Sequence, residues 1–130
     1  MAIAKECISL KSNIQRVWKI ITNVSDYSWR SDLKSTEVIN EYQFIEITHE
    51  GYSTKFTTTI YEPYKRWEFE FENDNMSGCW CGIFTEKDGQ TLLDLTEEVN
   101  AKKIMMKPFV KSYLKKQQQQ FIRDLKKAVE

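Results

Sequence analysis

The stretch that decides the fold runs from Ser12 to Leu33 and reads SNIQRVWKIITNVSDYSWRSDL. Apolar residues recur at Ile14, Val17, Trp18 and Ile21, the three-and-four spacing of a helix with one buried face. Ser12 or Asn13 can cap its start, because a side-chain oxygen there accepts a backbone N–H that the first turn leaves free. Asn23 and Ser25 favour leaving the helix, and Tyr27 and Trp29 follow in a turn or a second, very short helix. A short connection seldom carries two large aromatics without burying them, so the segment predicts the roof of a cavity.

Working outward, Ala2–Leu10 on the N-terminal side reads as a strand. On the other side the apolar period changes from 3.6 to 2. Leu33–Asn40, Gln43–Glu50 and Tyr52–Glu62 predict three strands, the last rich in threonine and aromatics that suit a pleated surface. Trp67, Phe69 and Phe71 then alternate with Glu68, Glu70 and Glu72, which requires a sheet with one dry and one wet face. Asn73-Asp74-Asn75 is a turn signal, Met76–Glu86 a further strand, and Asp88-Gly89 the pair that favours a tight hairpin into Gln90–Val99. From about Met105 the period is helical again. Pro108 suits a first turn, and Val110, Leu114, Phe121, Leu125 and Ala128 form one stripe. Pro108–Glu130 as a helix spans roughly 34 Å, enough to cross a sheet from edge to edge.

The chain of 130 residues fits a single domain, 1–130, with one core. No apolar run approaches the ~20 residues of a membrane span. The N-terminus carries Lys5 and Glu6 within its apolar stretch, unlike a secretory signal, so a cytoplasmic location is expected. Net charge is zero but uneven: residues 101–130 hold nine bases against two acids. Without the aromatic and glycine pattern of an RNA-binding module, this reads as the solvated face of the last helix, and no nucleic-acid partner is expected.

Three cysteines, Cys7, Cys79 and Cys81, have no framework spacing and read as reduced, buried thiols. With His49 they total four potential zinc ligands, but a one-residue spacer in a strand splays the sulfurs, so no metal and no cofactor are expected. His49 reads as a surface residue.

Two carboxylates stand out. Glu46 and Glu97 lie in otherwise apolar strands, and Glu97 shares a face with Leu93, Leu95 and Val99. A buried glutamate has a raised pKa and is suited to general acid–base work. Arg30 can neutralise one of them and hold an anionic ligand headgroup in a bidentate pair. Gln117 falls on the apolar stripe between Tyr113 and Phe121, where an unsatisfied amide is costly, so it is expected to face a pocket.

Strand, helix, six strands in hairpin succession and a long final helix make an α+β protein. A seven-stranded antiparallel sheet curves around the C-terminal helix, with two short helices after strand 1. Val17-Trp18, Trp29-Arg30-Ser31-Asp32, the strand Gly78-Cys79-Trp80-Cys81-Gly82-Ile83-Phe84, Thr91 after the hairpin and Leu125-Lys126 resemble the START-related helix-grip superfamily, also called SRPBCC. Within it the chain looks most similar to small bacterial members of the polyketide cyclase/dehydrase and lipid-transport-like type. The resemblance implies a hydrophobic-ligand cavity between helix and sheet. It implies no one activity, because the superfamily includes carriers, cyclases, hydratases and chaperone activators.

The expected function is therefore binding of a small hydrophobic or amphipathic ligand without catalysis. Its walls are expected to be Trp29, Phe56, Phe69, Trp80, Phe84, Tyr113, Gln117 and Phe121, with Arg30, Glu46 and Glu97 orienting a polar group. The alternatives are a cyclase/dehydrase-type enzyme using an inward glutamate, and a protein-interaction module. A monomer or homodimer is expected.

Overall fold

The computed structural model describes residues 1–130. Strand β1 (Ala2–Leu10) is followed by helix α1 (Ile14–Thr22) and by β2 (Leu33–Val38), β3 (Gln43–Thr48), β4 (Ser53–Glu62), β5 (Arg66–Glu72), β6 (Met76–Lys87) and β7 (Gln90–Ala101). A single 3-10 turn, Ile104–Met106, leads into the long helix α2 (Lys107–Val129). The strands form one antiparallel sheet in the order β1-β7-β6-β5-β4-β3-β2. The meander is thus completed by β1, which lies beside β7 with Leu10 opposite Thr91 and Ala2 opposite Val99. No helix is long and apolar enough to cross a membrane.

Local chemistry explains the boundaries. Asn13 caps α1, its side chain accepting the Arg16 N–H at 2.8 Å. The second short helix expected after α1 is not formed. Instead Asp26 accepts from the Ser28 N–H and hydroxyl, and Arg30 N–H donates to the Tyr27 carbonyl, giving two linked turns. An aspartate that bonds the backbone two residues on favours a turn over a helix. At the tight hairpin both Asp88 (φ 54°) and Gly89 (φ 77°) adopt the left-handed conformation that the sheet's twist demands. A register shift between Thr58 and Ile60 in β4 adds local twist, and helps the sheet curl.

The β5 alternation holds: Trp67, Phe69 and Phe71 are buried and Glu70 and Glu72 exposed. Its inward face meets Trp80 of β6, which stacks on Phe69 with ring centres 4.8 Å apart. Gly82 is what lets that indole lie flat along the strand, since a Cβ there would come to 2.5 Å from the Trp80 ring edge. The same alternation turns Cys79 and Cys81 outward. Cys7 and Cys79 are exposed and Cys81 half-buried, so the thiols are not core residues as their apolar character implied.

Helix α2 packs against the concave side of the sheet. Its backbone approaches β1, β7 and α1. Val110, Leu114, Leu125 and Val129 are buried in this contact, while Lys111, Lys115, Lys116 and Lys126 face solvent. Gln118 is also buried, its amide donating to the Ala4 carbonyl at 3.1 Å. Helix α1 closes the other end of the fold, with Trp18 edge-on to Phe84 at 4.8 Å. Thr91, fully buried, donates from its hydroxyl to the Ser12 carbonyl and fastens the start of α1 to β7. The helix backbone lies nearest β1 and β7, and a cavity remains between it and the concave face of the rest of the sheet.

Candidate functional site

A cavity of about 170 Å³ opens between α2, the concave sheet and the segment Asn23–Leu33. A single water requires roughly 10–15 Å³, so the space admits a small organic molecule. Ten of the eleven expected residues line it: Trp29, Arg30, Glu46, Phe56, Phe69, Trp80, Glu97, Tyr113, Gln117 and Phe121. Phe84 does not. It lies four residues beyond Trp80, about 13 Å along an extended strand, and packs on Trp18 under α1.

The sheet side of the cavity is an aromatic wall. Phe44 and Phe56 stack at 4.8 Å, Phe56 meets Phe69 edge-on at 5.2 Å, and Phe69 stacks on Trp80. On the helix side Phe121 bridges Trp29 at 5.5 Å and Trp80 at 6.3 Å. Sequence pattern does not reveal that Phe44, Trp67 and Phe71 also line the cavity, because core and cavity positions share the same strand face.

One end is polar. Arg30 makes two bonds of 3.1 Å to Asp32, through Nε and Nη2, and a third of 3.4 Å from Nη1 to Glu46. Its planar group also lies 5.6 Å from the Trp29 ring centre and 5.3 Å from that of Phe121. The bidentate partner of Arg30 is therefore Asp32, two residues away in the same segment, while its contact to Glu46 is the neutralising pair expected from the sequence. Burial works against the Arg30 charge, yet Glu46, Asp32 and Asp124 together hold its pKa above the usual arginine value. Burial raises the Glu46 pKa despite the pull of Arg30. Glu97 makes no ion pair; burial and the neighbouring Glu46 push it up to about 7, against a smaller opposing effect of Arg30. Burial, then Glu97, raises the Tyr113 hydroxyl as well.

The segment carrying Trp29 and Arg30 is held to α2 by Asp124, which the sequence reading passed over. This buried carboxylate accepts from the Ser31 N–H at 2.8 Å, the Ser31 hydroxyl at 2.9 Å and the Gln120 amide at 3.0 Å. Its position one residue before Leu125 on the stripe is the only signal the sequence offered. Asp124→Ala leaves the Ser31 N–H without a partner and is expected to lower stability by about 1–3 kcal/mol in urea unfolding. Asp124→Asn, which keeps an acceptor, is expected to lose less. Equal losses would show that the contact is packing and not hydrogen bonding.

A curved antiparallel sheet, a long C-terminal helix held against it and a cavity between them define a START-like, helix-grip fold. The chain is similar to the structure of a START superfamily protein from Mycobacterium smegmatis, with a TM-score of 0.85 at 16% identity over 99% of this chain and 97% of that one. A conserved protein from Geobacillus kaustophilus gives 0.83 at 17% identity, covering 96% and 93%. The protein XoxI from Bacillus cereus gives 0.81 at 10% identity, covering 99% and 96%. Likeness at these identities is one of fold. The sequence matches no protein-family model and no curated protein.

Proposed function

We propose that the protein binds a small hydrophobic or amphipathic molecule in the cavity between its sheet and α2, without catalysis. The observation that carries this reading is the pairing of an aromatic wall with the Arg30, Asp32, Glu46 and Glu97 cluster in one cavity. Stacked rings offer an apolar ligand area without side-chain ordering cost, and a few polar groups at one end fix its orientation. The START-like fold supports the same reading.

The four tryptophans supply an internal control. Trp29, Trp67 and Trp80 line the cavity, whereas Trp18 is buried under α1 and does not. Titrating the nitrogen-15-labelled protein with neutral 2-phenylethanol is expected to move the indole N–H signals of the first three and leave Trp18 in place. A ligand of this size corresponds to a Kd on the order of 1 mM or tighter. No movement up to 10-fold above that concentration, or equal movement of all four, would overturn the reading.

A second reading has one specific observation in its favour. Glu97, facing the cavity with a pKa pushed up to about 7, is poised for proton transfer to or from a bound ketone, as a cyclase/dehydrase-type enzyme requires. Reaction on a bound substrate, lost in Glu97→Gln with binding retained, is what separates it from carriage.

A further inference from the structure

We infer that the ligand of this cavity is an amphipathic amine, with its apolar body against the aromatic wall and its protonated nitrogen paired with Glu97. This rests on the ligand-binding reading above and adds the chemical class of the ligand.

Arg30 is closed to an anion. Two of its edges are taken by Asp32 and Glu46, and aromatic rings lie near its planar group, those of Trp29 and Phe121. It is also the only base among the residues lining the cavity, against four acids, Asp26, Asp32, Glu46 and Glu97. The ionised lining therefore carries a net negative charge. A fatty-acid carboxylate or other anionic headgroup would meet this surplus with no free cation to receive it, and like charges brought together in a poorly solvated space repel strongly.

Glu97 is the member of the cluster with no partner from the protein. It projects from β7 into the cavity, and its burial and its neighbour Glu46 both disfavour its charge. Glu97 is half-buried, and a carboxyl that is partly withdrawn from water and has no donor from the protein gains from a ligand that brings one. An ammonium does so most strongly, since a charge-assisted bond is about twice as strong as a neutral one. Facing Glu97 from the other elements are Glu46 on β3, Arg30 in the connecting segment and Tyr113 on α2. Of these only Arg30 is cationic, and it is already engaged.

Three probes of nearly equal size separate the possibilities: 2-phenylethylamine, 2-phenylethanol and 3-phenylpropanoate, each titrated at pH 8 with the Trp29, Trp67 and Trp80 indole signals as readout. The amine is expected to bind at least 10-fold more tightly than the carboxylate. Glu97→Gln is expected to weaken the amine about 10-fold and the alcohol by a clearly smaller factor. A carboxylate that binds as well as the amine, an alcohol that equals the amine, or an amine indifferent to Glu97→Gln would each overturn the assignment and leave ligand binding itself standing. Failure of all three probes would overturn both. Because glutamine is isosteric with glutamate, retained binding of the alcohol also shows that the variant is folded.

Discussion

Replacing Arg30 by methionine is expected to lower stability by about 3–5 kcal/mol near pH 8, the range seen when one partner of a buried ion network is removed. The Arg30 and Glu46 side chains are only 16% and 18% exposed, and Asp32 22%, so this is not a solvated surface bridge of the kind worth less than about 1 kcal/mol. Methionine keeps much of the stem's packing and removes the charge. Asp32, Glu46 and Glu97 then face one another with no cation among them. Arg30 pulls the pKa of both Glu46 and Glu97 down, so its loss raises both further. A folded-state pKa raised above the unfolded value gives a penalty that grows as pH rises. The deficit of the variant is therefore expected to be smallest near pH 5 and largest above neutrality. Arg30→Lys restores charge but not the planar fork that holds Asp32 through two parallel bonds, and is expected to recover only part of the loss. Urea unfolding of the three proteins across pH 5–8 tests this. A loss below 1 kcal/mol for Arg30→Met, or one independent of pH, would show that the network contributes no more than a surface pair.

The second large effect has the opposite sign. Glu97→Gln is expected to stabilise the ligand-free protein by up to about 3 kcal/mol above pH 7 and to leave it nearly unchanged at pH 4.5. The ordinary value of 4.5 is pushed up to about 7 in the folded chain. At about 1.4 kcal/mol per pH unit, that gap corresponds to about 3 kcal/mol. The folded state holds the proton more tightly than the unfolded one. Below pH 4.5 both hold it and nothing is lost; between 4.5 and 7 the cost of keeping Glu97 buried accumulates; above 7 it is constant. Glutamine never ionises and escapes this cost. Measured as the difference in urea-unfolding free energy between wild type and variant from pH 4.5 to 8.5, the gain is expected to rise over that window and then level off. A difference that does not change with pH would place Glu97 in contact with water.

The two variants act on one cluster whose parts were unequally legible in the sequence. Arg30, Glu46 and Glu97 each stood out locally, as an arginine beside a tryptophan and as carboxylates among apolar strand residues. What the sequence did not hold was who pairs with whom. Arg30 reaches Asp32 at two residues' distance and Glu46 at sixteen, and Glu97 is left over. That outcome depends on side-chain reach within the cavity, which no local pattern in the sequence encodes. Gln118 and Asp124 were missed for a related reason. A polar residue on an apolar stripe is either an error in the pattern or one half of a buried contact, and the other half, Ala4 or Ser31, is remote in sequence.

The sequence by itself determined the elements and their order. Periodicity, capping and turn chemistry are local, acting over a few residues, so α1, the acidic-aromatic alternation of β5 and the Asp88-Gly89 hairpin could be read directly. Tertiary structure alone decided where the cavity falls. The length of α2 is a sequence property, but its packing nearest β1 and β7, with a cavity left between it and the rest of the concave sheet, is not. That packing sends Phe84 to the core under α1 and Trp80 to the cavity, although both project from the same face of one strand. A side chain's period says which face it points from; only the packing of distant segments says whether that face meets protein or space.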